Sequence, residues 1–258
     1  MFVNPFDGAR AKLERSKRHF DELIAAEQEL SQPQPVTVIL EPQPNGDTIV
    51  FGVIEQLPKP AHGAIVADTI GNFRSALDIA AHQACVMRGA TNKKDLARTY
   101  FPFGGSEKDW DANLERRMAA ADAALVAAVR SFKPWKEDGN ALLYALSKIV
   151  ADDKHIALVA VATQPSELII DGMKFYRGDG KGCGVQGKSP VWSTQKAEML
   201  TVLSPAKVEI AGPCVLKAKI GFGEVYALTG KPVIPTLNEM GAMCEKIVDA
   251  IEAAARLP

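Results

Sequence analysis

The sequence is poor in the features that mark a secreted, membrane-spanning or metal-holding protein. Its four cysteines, Cys85, Cys183, Cys214 and Cys244, are scattered without a Cys-x-x-Cys pair or a metal-like spacing. That argues against a disulfide framework and a structural zinc, and for reduced thiols. No apolar run approaches the length of a membrane span, and the opening MFVNPFDGARAKLERSKRHF lacks an apolar leader core and turns basic and amphipathic at once. A soluble, unsecreted, cytoplasmic protein without a membrane partner is the expectation. An excess of one charge is missing too: 30 lysines and arginines stand against 31 aspartates and glutamates. No whole-molecule field draws nucleic acid, so any polyanion site must be local. Neither an internal repeat nor a low-complexity linker interrupts the chain.

What is present is an ordinary apolar fraction, 47% over 258 residues, enough for a sizeable core. From Ala9 to about Leu30, good helix formers carry Leu13, Phe20, Leu23, Ile24 and Leu30 near helical spacing. The basic cluster in its first half, Arg10 to Arg18, is interleaved with acids and reads as a charged outer face. PVTVILEPQ and DTIVFGVIEQL flank Pro44-Asn45-Gly46-Asp47, and Asn-Gly between β-branched runs predicts a two-stranded hairpin. Glu107 to about Phe132 predicts helix in one or two pieces, stopped by Pro134, and Asn140 to about His155 predicts another.

Beyond Ile156 the segments HIALVAVAT, ELIIDGMKFYRG, EMLTVLSP, KVEIAG, CVLKAKIGF and EVYAL predict short antiparallel strands. Thr236 and Glu239, in capping-box spacing, predict the start of a closing helix that runs to about Leu257. The expected fold is one α+β domain over residues 1–258: a helical bundle at about 9–155 with an inserted β-hairpin, a sheet-rich part at about 156–230, and a closing helix at about 236–257.

Gly182 to Ser189, GCGVQGKS, satisfies the G-x-x-x-x-G-K-[ST] phosphate-cradling pattern. That loop needs a buried parallel strand before it and a helix starting at the Lys-Ser pair. Pro190 comes directly after Ser189 and biases it away from helix. The next residues, VWSTQKAEMLTVL, have no helical stripe. A flexible hairpin loop is expected, with no bound nucleotide.

The stretch around which the rest is organised runs from His62 to Arg88. On a helical wheel Val66, Ile70, Phe73, Leu77, Ala81 and Ala84 share the core-facing stripe. Asp68, Asn72, Ser75 and His82 fall opposite, with Arg74 and Asp78 on one flank. Arg74 with Asp78, and Asp78 with His82, are four apart and can meet along the surface. The ladder reads either as a solvated face with ordinary ion pairs or as the floor of a functional groove. In the later helix the wheel turns Asp153 toward the apolar side. A buried carboxylate needs a partner, and Arg74 is the candidate.

At GNFRSALDIAAH, YFPF and DDKH the chain resembles an uncharacterised family of bacterial and phage-borne proteins with an Asn-x-Arg-Ser-Ala-Leu-Asp helix, an extended Phe-Pro and an Asp-Lys-His. The arginine-to-histidine spacing of that family is similar to the signature of HEPN domains, helical modules that often dimerise and in many cases cleave RNA without metal. Here Ile79 stands where the family has histidine, His82 falls one residue beyond the HEPN range, and Ser75 comes after the arginine.

The resemblance implies two readings. In the first, His82, oriented by Asp78, takes the ribose 2′-hydroxyl proton while Arg74 holds the phosphate, with Asn72, Asp153, Lys154 and His155 as binding residues and no metal or cofactor. RNA and a second copy of the chain are then the expected partners. In the second, the protein is a non-catalytic binding or dimerisation protein, and Arg74, Asp78 and Asp153 are structural glue.

Overall fold

The computed structural model describes residues 4–155, 161–177, 183–187, 194–225 and 228–257, with the side chains of 151–155 and 164–166 outside the description. The fold is α+β with antiparallel sheets. Helix α1 (Asp7–Leu30) turns Ala9, Leu13, Leu23, Ala26 and Leu30 inward, as its apolar spacing predicts. Ile24 stays 40% exposed. Helix α2 (Pro60–Met87) begins on Pro60, where a missing N–H costs nothing, and His62 Nδ1 accepts from the Lys59 N–H.

The stripe Val66, Ile70, Phe73, Leu77, Ala81 and Ala84 is buried as expected, but so are Ala67, Thr69, Asn72, Ala76, Ala80 and Cys85. The reason is that α2 is packed on several sides, against α1, against α6 (Ala141–His155) and against α7 (Val233–Ala255). Alanines on those extra sides let the neighbouring backbones approach closely. Between α2 and α6 lie α3 (Lys93–Leu96), a short turn that the sequence pattern does not separate, then α4 (Glu107–Arg117) and α5 (Ala123–Arg130). The last two are the two pieces foreseen for Glu107 to Phe132, each opened by a side-chain cap, Ser106 and Asp122.

The closing helix starts earlier than the capping-box spacing implies. It begins at Val233, and Thr236 sits inside the first turn with its hydroxyl donating to the Pro232 carbonyl. Pro232 ends the preceding extended chain and can precede helix without losing a donor, so it sets the start in place of the threonine.

The strands are β1 (Gln34–Pro35), β2 (Thr37–Pro42), β3 (Thr48–Val53), β4 (Val161–Ile170), β5 (Met173–Tyr176), β6 (Val185–Gly187), β7 (Lys196–Val202), β8 (Lys207–Ile210) and β9 (Cys214–Phe222). β2 and β3 meet at the Asn45-Gly46 turn, with Gly46 at φ +86° where an L side chain would be strained. The pair is not a separate ribbon: it is half of a four-stranded sheet ordered β2-β3-β7-β6. A second sheet runs β1-β9-β4, and β5 pairs with β8. Glu224 and Val225, foreseen as part of a strand, lie outside the described strands, and Leu228 is part of a helical turn; Tyr226 and Ala227 lie outside the described residues, as does 156–160.

One cluster of apolar side chains unites the helices with Ile220 and Phe222 of β9; another, between the sheets, gathers Val36, Val50, Met199, Val202, Leu216 and Ala218. β9 therefore serves both, and the Glu27 carboxylate of α1 fastens it by accepting the Ile220 N–H at 2.9 Å. Among the described residues no helix is long and apolar enough to cross a membrane.

Candidate functional site

Arg74 and Asp78 do meet, one turn apart on α2, with both side chains 22% exposed. Arg74 Nε donates to both carboxylate oxygens, at 3.1 and 3.0 Å. Each makes one further hydrogen bond, both to one segment, the extended Phe101-Pro102-Phe103 between α3 and α4. Arg74 Nη2 donates to the Phe101 carbonyl at 3.2 Å, and Asp78 Oδ1 accepts the Phe101 N–H at 2.9 Å. The guanidinium also lies 4.3 Å from the centroid of the Phe103 ring, within cation–π range.

This arrangement answers a hydrogen-bonding problem. Phe101 and Phe103 are buried, yet the segment belongs to no strand, so its backbone groups have no ladder to satisfy them. Side chains supply what the ladder would. Beside Arg74 and Asp78, Trp110 Nε1 donates to the Pro102 carbonyl at 3.2 Å and Asn113 Nδ2 to the Phe103 carbonyl at 2.8 Å. Gly104 continues the segment by donating to the Pro134 carbonyl at 3.0 Å. Four side chains from α2 and α4 thus buckle an irregular, apolar stretch into the core.

The other candidate residues are placed differently. Asn72, foreseen on the outward face, is buried, and its amide donates to the Asp68 carbonyl at 2.8 Å. That side of α2 is turned toward α1, where Ser16 donates to the Thr69 carbonyl three residues earlier and Ile79 lies against Gly8. Ser75 donates to the Gly71 carbonyl. His82 is half-buried on α2, and the Asp78 hydrogen bonds go to Arg74 and Phe101, none to His82. The foreseen orientation of His82 by Asp78 is thus absent among the described contacts, because the Phe101 backbone competes for the same carboxylate.

Asp153, Lys154 and His155 form the last turn of α6, and their side chains lie outside the described residues, so the foreseen Arg74–Asp153 pair does too. The hydrogen-bond partners of Arg74 that are described are Asp78 and Phe101. Sequence reading missed Phe101, Trp110 and Asn113. The available signal was the Phe-Pro-Phe run itself, whose apolar rings demand burial and whose carbonyls then demand donors.

Within GCGVQGKS, Val185, Gln186 and Gly187 are extended as β6, opposite Val202, Thr201 and Leu200 of β7. A strand stands where a phosphate cradle needs curled N–H groups. Gly182, Lys188 and Ser189 lie outside the described residues. Among the described residues, no group of three or more histidine, cysteine or acidic side chains is placed to hold a metal ion.

Among the clefts formed by the described residues are ones of about 360, 490 and 540 Å³. The first lies between α1 and α7 over Phe73, the second between α4 and α6 beside Arg116 and Lys148, and the third around Trp135. Arg74, Asp78 and His82 line none of these three. Comparison of the chain with protein-family models, with curated proteins and with solved structures found no match.

Proposed function

We propose that the protein is a non-catalytic binding or dimerisation protein, in which the Arg74–Asp78 pair holds the fold together. The observation that carries this is the commitment of both side chains to the backbone of Phe101. A phosphate-gripping guanidinium and a base-orienting carboxylate act through N–H groups and lone pairs turned to substrate and histidine; here Nε and Nη2 of Arg74 and Oδ1 of Asp78 are turned to each other and to the Phe101 peptide.

The competing reading is a HEPN-like, cytoplasmic protein that cleaves RNA without metal, with His82 as base, Arg74 on the phosphate and Lys154 or His155 as second cation. What favours it is that His82 is only half-buried and that Asp78 is bonded elsewhere. Incubating the full chain with single-stranded RNA in a chelator separates the two. The proposed reading expects intact RNA. RNA ending in 2′,3′-cyclic phosphate, formed by the protein but not by a His82→Ala variant of equal melting temperature, would overturn it.

A further inference from the structure

We infer that the free edge of β2 is a docking surface for a second copy of this chain, paired antiparallel about a two-fold axis through Ile39. The inference rests on the dimerisation reading above and gives it a place. β2, six residues long, is the end strand of the β2-β3-β7-β6 sheet. Hydrogen bonds in an antiparallel ladder alternate, so the parity of the strand decides which groups are free. The Gln43 N–H donates to the Asp47 carbonyl, and the Ile54 N–H turns the other way, to Gln195 before β7. Carried along the register, this points the backbone groups of Thr37, Ile39 and Glu41 at Val53, Phe51 and Ile49 of β3. Those of Val38, Leu40 and Pro42 point away from the sheet.

The free stretch is bounded at both ends. The Val36 N–H is taken by the Cys214 carbonyl at 2.8 Å, and Pro42 has no N–H to give. What is left, Thr37 to Glu41, is symmetric about Ile39, and that symmetry selects a second copy as occupant. A two-fold axis at Ile39 sets Val38 of one copy opposite Leu40 of the other. Each exposed N–H, carrying partial positive charge, then meets an exposed carbonyl, and the free donors and acceptors of Val38 and Leu40 are satisfied with no bulge.

The side chains agree with this register. Ile39 is 37% and Leu40 40% exposed, high for aliphatic residues on a strand whose neighbour Val50 is fully buried. Ile39 would meet Ile39 of the second copy on the outer face, beside the half-buried Ile49, Phe51 and Val53 of β3. Leu40 would meet Val38 on the inner face and extend the core between the sheets. Glu41, already paired with Lys196, would face the neutral Thr37, so no like charges oppose. Exposed edges invite such pairing unless charge, proline or a bulge blocks them. The other long edge strand, β4, carries Pro165 and a register shift, whereas β2 keeps both its outward donors.

The test is sedimentation of the full chain over a range of concentrations, with amide hydrogen exchange read at Val38 and Leu40. A concentration-dependent dimer is expected, with protection of the Val38 and Leu40 amides rising as it forms and that of Ile39 and Glu41 unchanged. Leu40→Pro removes an outward donor without touching the β2–β3 ladder, a change edge strands accept, and should weaken the dimer roughly tenfold or more. Ile39→Lys sets two like charges face to face and should do the same, which keeps the test alive if the proline variant misfolds.

A monomer at every concentration overturns the inference, as does a dimer indifferent to both variants. Protection of Val38 and Leu40 that appears only when a foreign extended peptide is added assigns the edge to that peptide and also overturns it. RNA cleavage scored in parallel bears on the proposed function alone, so the two can fail separately.

Discussion

Arg74 and Phe101 are joined through the backbone: the guanidinium of the one donates to the carbonyl of the other at 3.2 Å, across 27 positions of sequence. Because Asp78 takes the N–H of the same residue, a peptide with no strand partner is closed from both ends. Arg74→Ala should therefore lower stability by about 2–3 kcal/mol, since it leaves a buried carbonyl without its donor and a carboxylate without its counter-charge. Arg74→Lys should cost less, keeping the charge but losing the planar fork. Thermal or urea unfolding checks both, and equal stability of wild type and Arg74→Ala would refute the buckle.

Gly104 ends the same segment, where the chain passes tightly over α4. A Cβ there would lie 2.5 Å from the Trp110 nitrogen and 2.7 Å from the Ser106 carbonyl oxygen. These are backbone atoms of a capped helix and cannot swing aside. Gly104→Ala should cost roughly 3 kcal/mol, the upper range for overpacking. By contrast Gly71→Ala, with nothing within 4 Å of the new carbon, should leave stability unchanged or raise it slightly through helix propensity. Parallel melts of the two variants decide.

Acid should weaken the junction between the two ends of the chain. Burial of Glu252 favours its neutral form, but hydrogen bonds from Asn4, Arg256 and Arg10 outweigh that and hold its carboxyl down at about 2, against an ordinary 4.5. A depressed folded value means stability that is fully present above pH ~5 and is lost as pH falls toward 2. Its size is on the order of 2 kcal/mol after solvent screening. Glu252→Gln should flatten this part of the stability–pH curve; a curve of unchanged slope would count against the network.

Thiol reactivity should track burial. Burial pushes the Cys85 thiol up to about 11 and the Cys244 thiol up to about 12, each helped by a nearby carboxylate, and raises Cys214 as well. Little nucleophilic thiolate then exists at neutral pH. Half-buried Cys183 should be the first site to react with a maleimide in the native protein. The other three should react at the rate of unfolding. Peptide mapping by mass spectrometry after brief labelling gives the order.

The elements whose cause lies within a few residues could be read directly from the sequence. Apolar spacing placed α1 and α2, Pro134 separated α5 from α6, and Asn45-Gly46 fixed the β2–β3 hairpin, because each depends on local backbone sterics and on one face seeking burial. The sequence shows the Arg74–Asp78 spacing on α2 and the Phe101-Pro102-Phe103 run as separate features. It did not say that the two touch.

Only the tertiary structure decided how these pieces share partners. Val53 pairs with Lys196 and Gln34 with Leu216, joining early strands to late ones, since a strand edge accepts any edge of the right parity and sequence distance does not enter. Helical spacing sets Asp78 within reach of both Arg74 and His82. The folded chain gives it to Phe101, because a buried peptide hydrogen left unpaired costs more than a side chain that keeps some contact with water.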